Sequence, residues 1–176
     1  MQNIKHLILI ITLLIMAQQV QSQQFPVIKA ETLSQEKIVF PEITKGKTAL
    51  ILIAFKRQTQ GQVDSWLDPF IEEFGDNELV TFYEIPMISN SWKWMSSWID
   101  SGMRAGVPAY KHDHVATYYG PLSEYFEYFD VQDKRLCYVF LLDENGKIIW
   151  RNQDAATRES YNELSQLVRE KIKKKG

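Results

Sequence analysis

A single cysteine, Cys137, stands in a chain of 176 residues. That scarcity excludes an internal disulfide framework, a CxxC redox pair, and any zinc or iron–sulfur site built from several cysteines of one chain. Charge of one sign is lacking too: 20 Lys and Arg against 22 Asp and Glu leave a net charge of −2. Such a chain sets up no field that would hold a polyanion, so nucleic acid is not expected as a partner. With 8 glycines and 6 prolines there is no collagen-like or low-complexity segment. The apolar run from Leu7 to Ala17 falls well short of the ~20 residues that a membrane-spanning helix requires. Nor does the chain contain a GxSxG elbow, a phosphate-binding glycine loop, an HExxH pair or a calcium loop.

What is present is ordinary globular usage, 45% apolar, 24% charged and 12% aromatic, in a chain long enough for one core. Lys5 and His6 ahead of the Leu7–Ala17 run, with Val20 and the small Ser22 behind it, have the form of a signal peptide cleaved near Ser22. Removing those 22 residues from 176 leaves 154, and because Lys5 is their only charged residue the net charge moves from −2 to −3. The expected organisation is therefore a signal peptide over 1–22, an N-terminal extension over 23–46 and one domain over 47–176. The mature protein is expected to be secreted or periplasmic.

Along the mature part, strand and helix patterns alternate. Short apolar runs between Phe25 and Phe40 predict a small hairpin. Ala49 to Phe55 is unbroken apolar sequence, as in a strand covered on both faces. Val63, Trp66, Leu67, Phe70, Ile71 and Phe74 recur at offsets of three and four, so they predict one face of a helix that carries Pro69 inside it. A strand follows from Leu79 to Ile85. A helix over Trp92–Ile99 would bury most of an arc formed by Trp92, Trp94, Met95, Trp98 and Ile99. Gly102 to Pro108 reads as a flexible loop, His114 to Tyr119 as a strand, and Pro121 to Phe129 as a short helix. Cys137–Leu142 and Lys147–Trp150 form a hairpin around Asp143-Glu144-Asn145-Gly146. The last helix, capped by Thr157, packs Tyr161, Leu164, Leu167, Val168 and Ile172, and its lysines, Lys171 to Lys175, suit a solvated helix end.

That order resembles an α/β thioredoxin-like fold, a central mixed sheet flanked by helices, here with an N-terminal hairpin extension. In thioredoxins a proline kinks the first main helix five residues after the second redox cysteine; counting back from Pro69 places the pair at Gly61 and Asp64, where neither sulfur is present. The family's cis-proline would stand near Cys137, and it is absent. Cys137 itself lies in an apolar strand, where burial raises a thiol's pKa.

Four segments resemble, more narrowly, the family of the mitochondrial ATP synthase assembly factor named for ATPase complex subunit ten. They are Ser65-Trp66-x-x-Pro69-Phe70, Tyr83-Glu84-Ile85-Pro86, Gly102-Met103-Arg104-Ala105-Gly106-Val107-Pro108, and Tyr138-x-x-Leu141-Leu142-Asp143-x-x-Gly146-Lys147-Ile148-x-Trp150. The resemblance implies a chaperone-like role in assembling the membrane sector of ATP synthase. The stretch Arg151 to Ala156 departs from the family's glycine-rich segment.

The expected function is thus that of an exported, non-catalytic binding or assembly module with a protein client, free or membrane-associated, and with no cofactor. A thiol-dependent oxidoreductase or peroxiredoxin-like enzyme using Cys137 is the alternative. Two residues are the candidate binding groups: Arg104, presented between glycines in a loop, and Trp94, an aromatic anchor at the edge of its helix. No catalytic residue is assigned. His112 and His114 beside Asp113 are too few for a metal site, and Glu84, Asp113 and Glu124 read as solvated carboxylates.

Overall fold

The computed structural model describes residues 23–174; the expected signal peptide and Lys175 lie outside them. The strands are β1 (Ile28–Thr32), β2 (Lys37–Phe40), β3 (Thr48–Ala54), β4 (Val80–Ser89), β5 (Ala116–Gly120), β6 (Tyr138–Leu142) and β7 (Ile148–Gln153). The α-helices are α1 (Gln60–Phe74), α2 (Ser96–Gly106), α3 (Ser123–Tyr128) and α4 (Arg158–Lys173). One seven-stranded sheet runs in the order β2-β1-β5-β4-β3-β6-β7. It is mixed: β3, β4 and β5 are parallel neighbours, while β6, β7 and the β1–β2 hairpin run antiparallel.

All seven residues of β3 are buried, and their alternation sorts the core into two layers. Leu50, Leu52 and Ala54 join Trp66, Leu67 and Phe70 of α1 and Leu164 and Val168 of α4. Ala49, Ile51 and Ile53 face the other way, toward Phe25, Ile28, Phe40 and Phe129. The region 23–46, expected as an N-terminal extension, contributes Phe25, Ile28 and Phe40 to this second layer. Phe25 and Phe40 are 1% and 0% exposed, and the Phe25 ring lies 5.9 Å from Phe140 and 5.7 Å from Phe129. Its backbone is stitched to the β6–β7 turn, where Phe25 N–H donates to Gly146 O and Ile148 N–H to Gln23 O. Gly146 is required there. It sits at φ +77°, and a Cβ would meet Pro41 at 2.6 Å.

Pro69 lies inside α1, and Thr157 caps α4 through a reciprocal pair with Ser160, both as expected. The region after β4 differs from expectation. The tryptophans lie mostly in a 3-10 segment, Asn90–Met95, and α2 then runs through Gly106. Gly102 and Gly106 are therefore helical, and neither has the positive φ that a glycine loop would use. The ladder persists because Val107 N–H still bonds Met103 O at 2.8 Å, and a helical glycine costs only about 1 kcal/mol. The expected strand from His114 is shortened at its start, since Ala109–His114 forms a further 3-10 turn and β5 begins at Ala116.

Candidate functional site

Two places carry the expectations drawn from the sequence: the start of α1, where a thioredoxin would keep its cysteines, and the β4–β5 crossover, which carries Trp94 and Arg104.

At the start of α1 the residue that dominates is Gln62, which the sequence reading passed over. Its Oε1 accepts from Cys137 N–H at 2.7 Å, and its Nε2 donates to Arg135 O at 3.1 Å. One side-chain amide thus satisfies both a donor and an acceptor on the chain leading into β6. Next to it, Ser65 Oγ accepts from Ala156 N–H, and Trp66 Nε1–H donates to Asp154 O at 2.8 Å. The Ser65-Trp66 pair therefore fastens α1 to the segment after β7. The only signal for Gln62 in the sequence was its place between Gly61 and Asp64, inside the frame of the missing CxxC.

Cys137 is wholly buried. Burial, and then the charges of Glu84 and Asp154, push its thiol far above the ordinary range. Burial of this kind disfavours the thiolate, the form that attacks disulfides and peroxides.

Behind the α1 start lies Glu84 on β4, which is buried rather than solvated. Among the described residues its carboxylate has one hydrogen-bond donor, Gln60 Nε2 at 3.4 Å. Loss of water raises its pKa from 4.5 to about 7; the Gln60 bond and Lys111 oppose that rise, and Asp64 adds to it. Lys111 is also buried. Its Nζ donates to Asp68 Oδ1 at 2.9 Å, and although burial favours the neutral amine, the Asp68 bond and charge hold it charged, above the usual lysine value. The other carboxylates of the sequence reading are elsewhere: Asp113 is exposed and accepts from Ser34 Oγ, and Glu124 is exposed. His112 Nε2 meets Val107 O at 2.9 Å and His114 Nδ1 meets Phe82 O at 3.0 Å, each ring being used by a backbone carbonyl. Among the described residues no group of three or more His, Cys, Asp or Glu could hold a metal ion.

The crossover corrects the expected burial of the tryptophan arc. Trp92, Trp94 and Trp98 are 52%, 80% and 73% exposed, and neither Asn90–Met95 nor α2 contains a buried residue. Met95, Ile99, Met103 and Val107, half-buried, recur at four-residue spacing. The arc splits because a 3-10 segment advances its side chains at about 120° per residue, unlike the α-helix on which the arc was drawn. Hydrogen bonds hold the crossover: Tyr119 O–H donates to Asp100 Oδ1 at 2.7 Å, and Arg104 Nη1 donates to Leu33 O, in the β1–β2 turn, at 3.4 Å. Arg104 is thus half-buried in the last turn of α2 rather than displayed on a loop. Two clefts of about 250 Å³ each, one lined by Phe70, Phe74, Phe82 and His114 and the other by Phe129, Tyr138, Phe140 and Arg151, contain none of Trp94, Arg104, Glu84 or Cys137.

The sheet order and the helices on it define a thioredoxin-like fold, and solved structures agree. The thioredoxin domain of a thiol-disulfide oxidoreductase from Bacteroides vulgatus matches with a TM-score of 0.59 at 15% identity, over 84% of this chain and 96% of that one. BsSco, a member of the Sco family of cytochrome c oxidase assembly proteins, matches with a TM-score of 0.58 at 14% identity, over 85% and 94%. A peroxiredoxin-like protein from Aquifex aeolicus matches with a TM-score of 0.56 at 13% identity, over 83% and 86%. At these identities the likeness is one of fold alone. No curated protein matches the chain in sequence. The family described as ATP10 protein matches residues 15–170, and the chain belongs to that family.

Proposed function

We propose that this chain is an exported, non-catalytic member of its family that works by binding, as a chaperone-like assembly factor for a protein client. The observation that carries this reading is the state of the α1 start. The fold is that of thiol–disulfide enzymes, yet Gly61 and Asp64 stand at the cysteine positions, and the amide of Gln62 ties down the backbone beside Cys137. Family membership supports an assembly role, and the charged and apolar pattern of residues 1–22 supports export. The surface assigned to binding is the β4–β5 crossover, which presents Trp94 and carries Arg104 in the last turn of its helix, because this element leaves three tryptophans more than half exposed.

The test has three readouts. Iodoacetamide should leave Cys137 unmodified in the folded protein up to pH 9 and alkylate it on denaturation. The chain should also neither reduce insulin disulfides nor consume peroxide above a Cys137→Ser control. Crosslinking in the native envelope with mass spectrometry should recover a protein client. Turnover that disappears in Cys137→Ser would overturn the reading.

A further inference from the structure

We propose that the β4–β5 crossover seats the protein on a phospholipid surface, with Trp92, Trp94 and Trp98 at the headgroup level and Lys93 facing the phosphates. This names the partner of the surface assigned above and rests on that assignment; the client would then be met at the membrane.

The three tryptophans are each more than half exposed, and Tyr110 on the following turn is 66% exposed. The crossover does not bury them, since neither Asn90–Met95 nor α2 contains a buried residue. The exposed set is aromatic rather than aliphatic. Among the described residues the remaining exposed large hydrophobic side chains are Val27, Val39 and Ile43, all within 23–46. Indole rings have an apolar body and one N–H donor, and this combination favours the boundary between acyl chains and headgroups.

That donor discriminates between partners. Trp66 inside the fold gives its indole N–H to Asp154 O, whereas Trp92, Trp94 and Trp98 have no hydrogen-bond acceptor among the described residues. A folded protein partner would have to supply three acceptors at three fixed points. Ester carbonyls and phosphates supply them anywhere in a headgroup layer. Charge points the same way. Between Asn90 and Ile99 the only charged residue is Lys93, which is exposed, and the first carboxylate beyond, Asp100, is occupied by Tyr119 O–H. An exposed aromatic segment whose own charged side chain is a cation complements a layer of phosphates.

The chain itself provides the probe. Of its five tryptophans, Trp66 is wholly buried, Trp150 is half-buried and packed on Trp66, and none falls in residues 1–22. Quenching of tryptophan emission by lipids brominated on their acyl chains therefore reads the crossover, whatever the N-terminal apolar run does. The full chain is titrated with vesicles of phosphatidylcholine and phosphatidylglycerol at 3:1, and with phosphatidylcholine alone, each with and without bromine. Brominated vesicles should quench the emission and shift it to shorter wavelength. Lys93→Ala should raise the anionic vesicle concentration for half-quenching about fivefold and leave phosphatidylcholine binding unchanged. Trp94→Ser should weaken binding to both vesicles at unchanged thermal stability. Co-sedimentation without quenching, no association with either vesicle, or a photo-crosslinker at position 94 that captures protein instead of lipid would each overturn the inference. None of these results touches the Cys137 alkylation or the turnover assays, so the non-catalytic reading fails separately.

Discussion

Replacing Glu84 by glutamine should stabilise the protein, and by an amount that depends on pH. Glu84 is buried, with Gln60 Nε2 donating to it at 3.4 Å, and its pKa is lifted from 4.5 to about 7, first by loss of water and then by Asp64. An acid with a higher pKa in the folded state binds its proton more tightly there than in the unfolded chain. Folding therefore carries no penalty from Glu84 below pH 4.5, a penalty that grows as pH rises from there to about 7, and a constant one above. At 1.36 kcal/mol for each pH unit between the two values, that plateau is about 3 kcal/mol. Glutamine has the same shape, keeps an acceptor for Gln60 and never ionises. Urea unfolding of the parent and Glu84→Gln at pH 4.5, 6, 7 and 8 should give a stability gap near zero at the lowest pH and close to its full value at the highest. Glu73 is shifted the other way: burial alone would raise its pKa, but hydrogen bonds from Ser165, Arg169 and Tyr161 outweigh that and lower it. It acts equally in both proteins and cancels in the gap. A gap that stays the same from pH 4.5 to 8 would refute the argument, because a purely steric effect has no reason to titrate.

Phe25→Ala should destabilise the fold by about 3–5 kcal/mol in the same assay, the usual result of emptying a buried aromatic site; a loss under about 1 kcal/mol would show that residues 23–46 add little to the core. Gly102→Ala should stabilise α2 by about 1 kcal/mol, since the glycine is helical and a Cβ there meets nothing within 4 Å. Destabilisation by that change, seen as a lower melting temperature, would show that the crossover is not helical at this point in solution.

Much of the fold was legible because local pattern and tertiary environment agree. The unbroken run from Ala49 is buried on both faces, the three-and-four spacing of Val63 to Phe74 is the buried face of α1, and the Asp143–Gly146 turn has Gly146 at the positive φ it needs. The four family segments led to the same family that residues 15–170 match. The crossover was misread for a definite reason. Apolar periodicity reports which residues share a face, and it cannot report whether anything is packed against that face. Trp92 and Trp98 look like core in the sequence because tryptophan is apolar, yet both are more than half exposed, as is Trp94, which the sequence placed at the edge of the arc.

The sequence by itself determined the absence of a cysteine pair, the order of strands and helices, and the residues that cap and turn them, because each is a matter of composition or of contacts a few residues apart. The tertiary structure alone decided that Glu84 loses its water, that Gln62 reaches the backbone 75 residues away at Cys137, and that Arg104 bonds Leu33 O across 71 residues. Each of those depends on bringing distant segments to within 3.5 Å. Burial and hydrogen-bond partners belong to the packed chain, and no window along the sequence contains them.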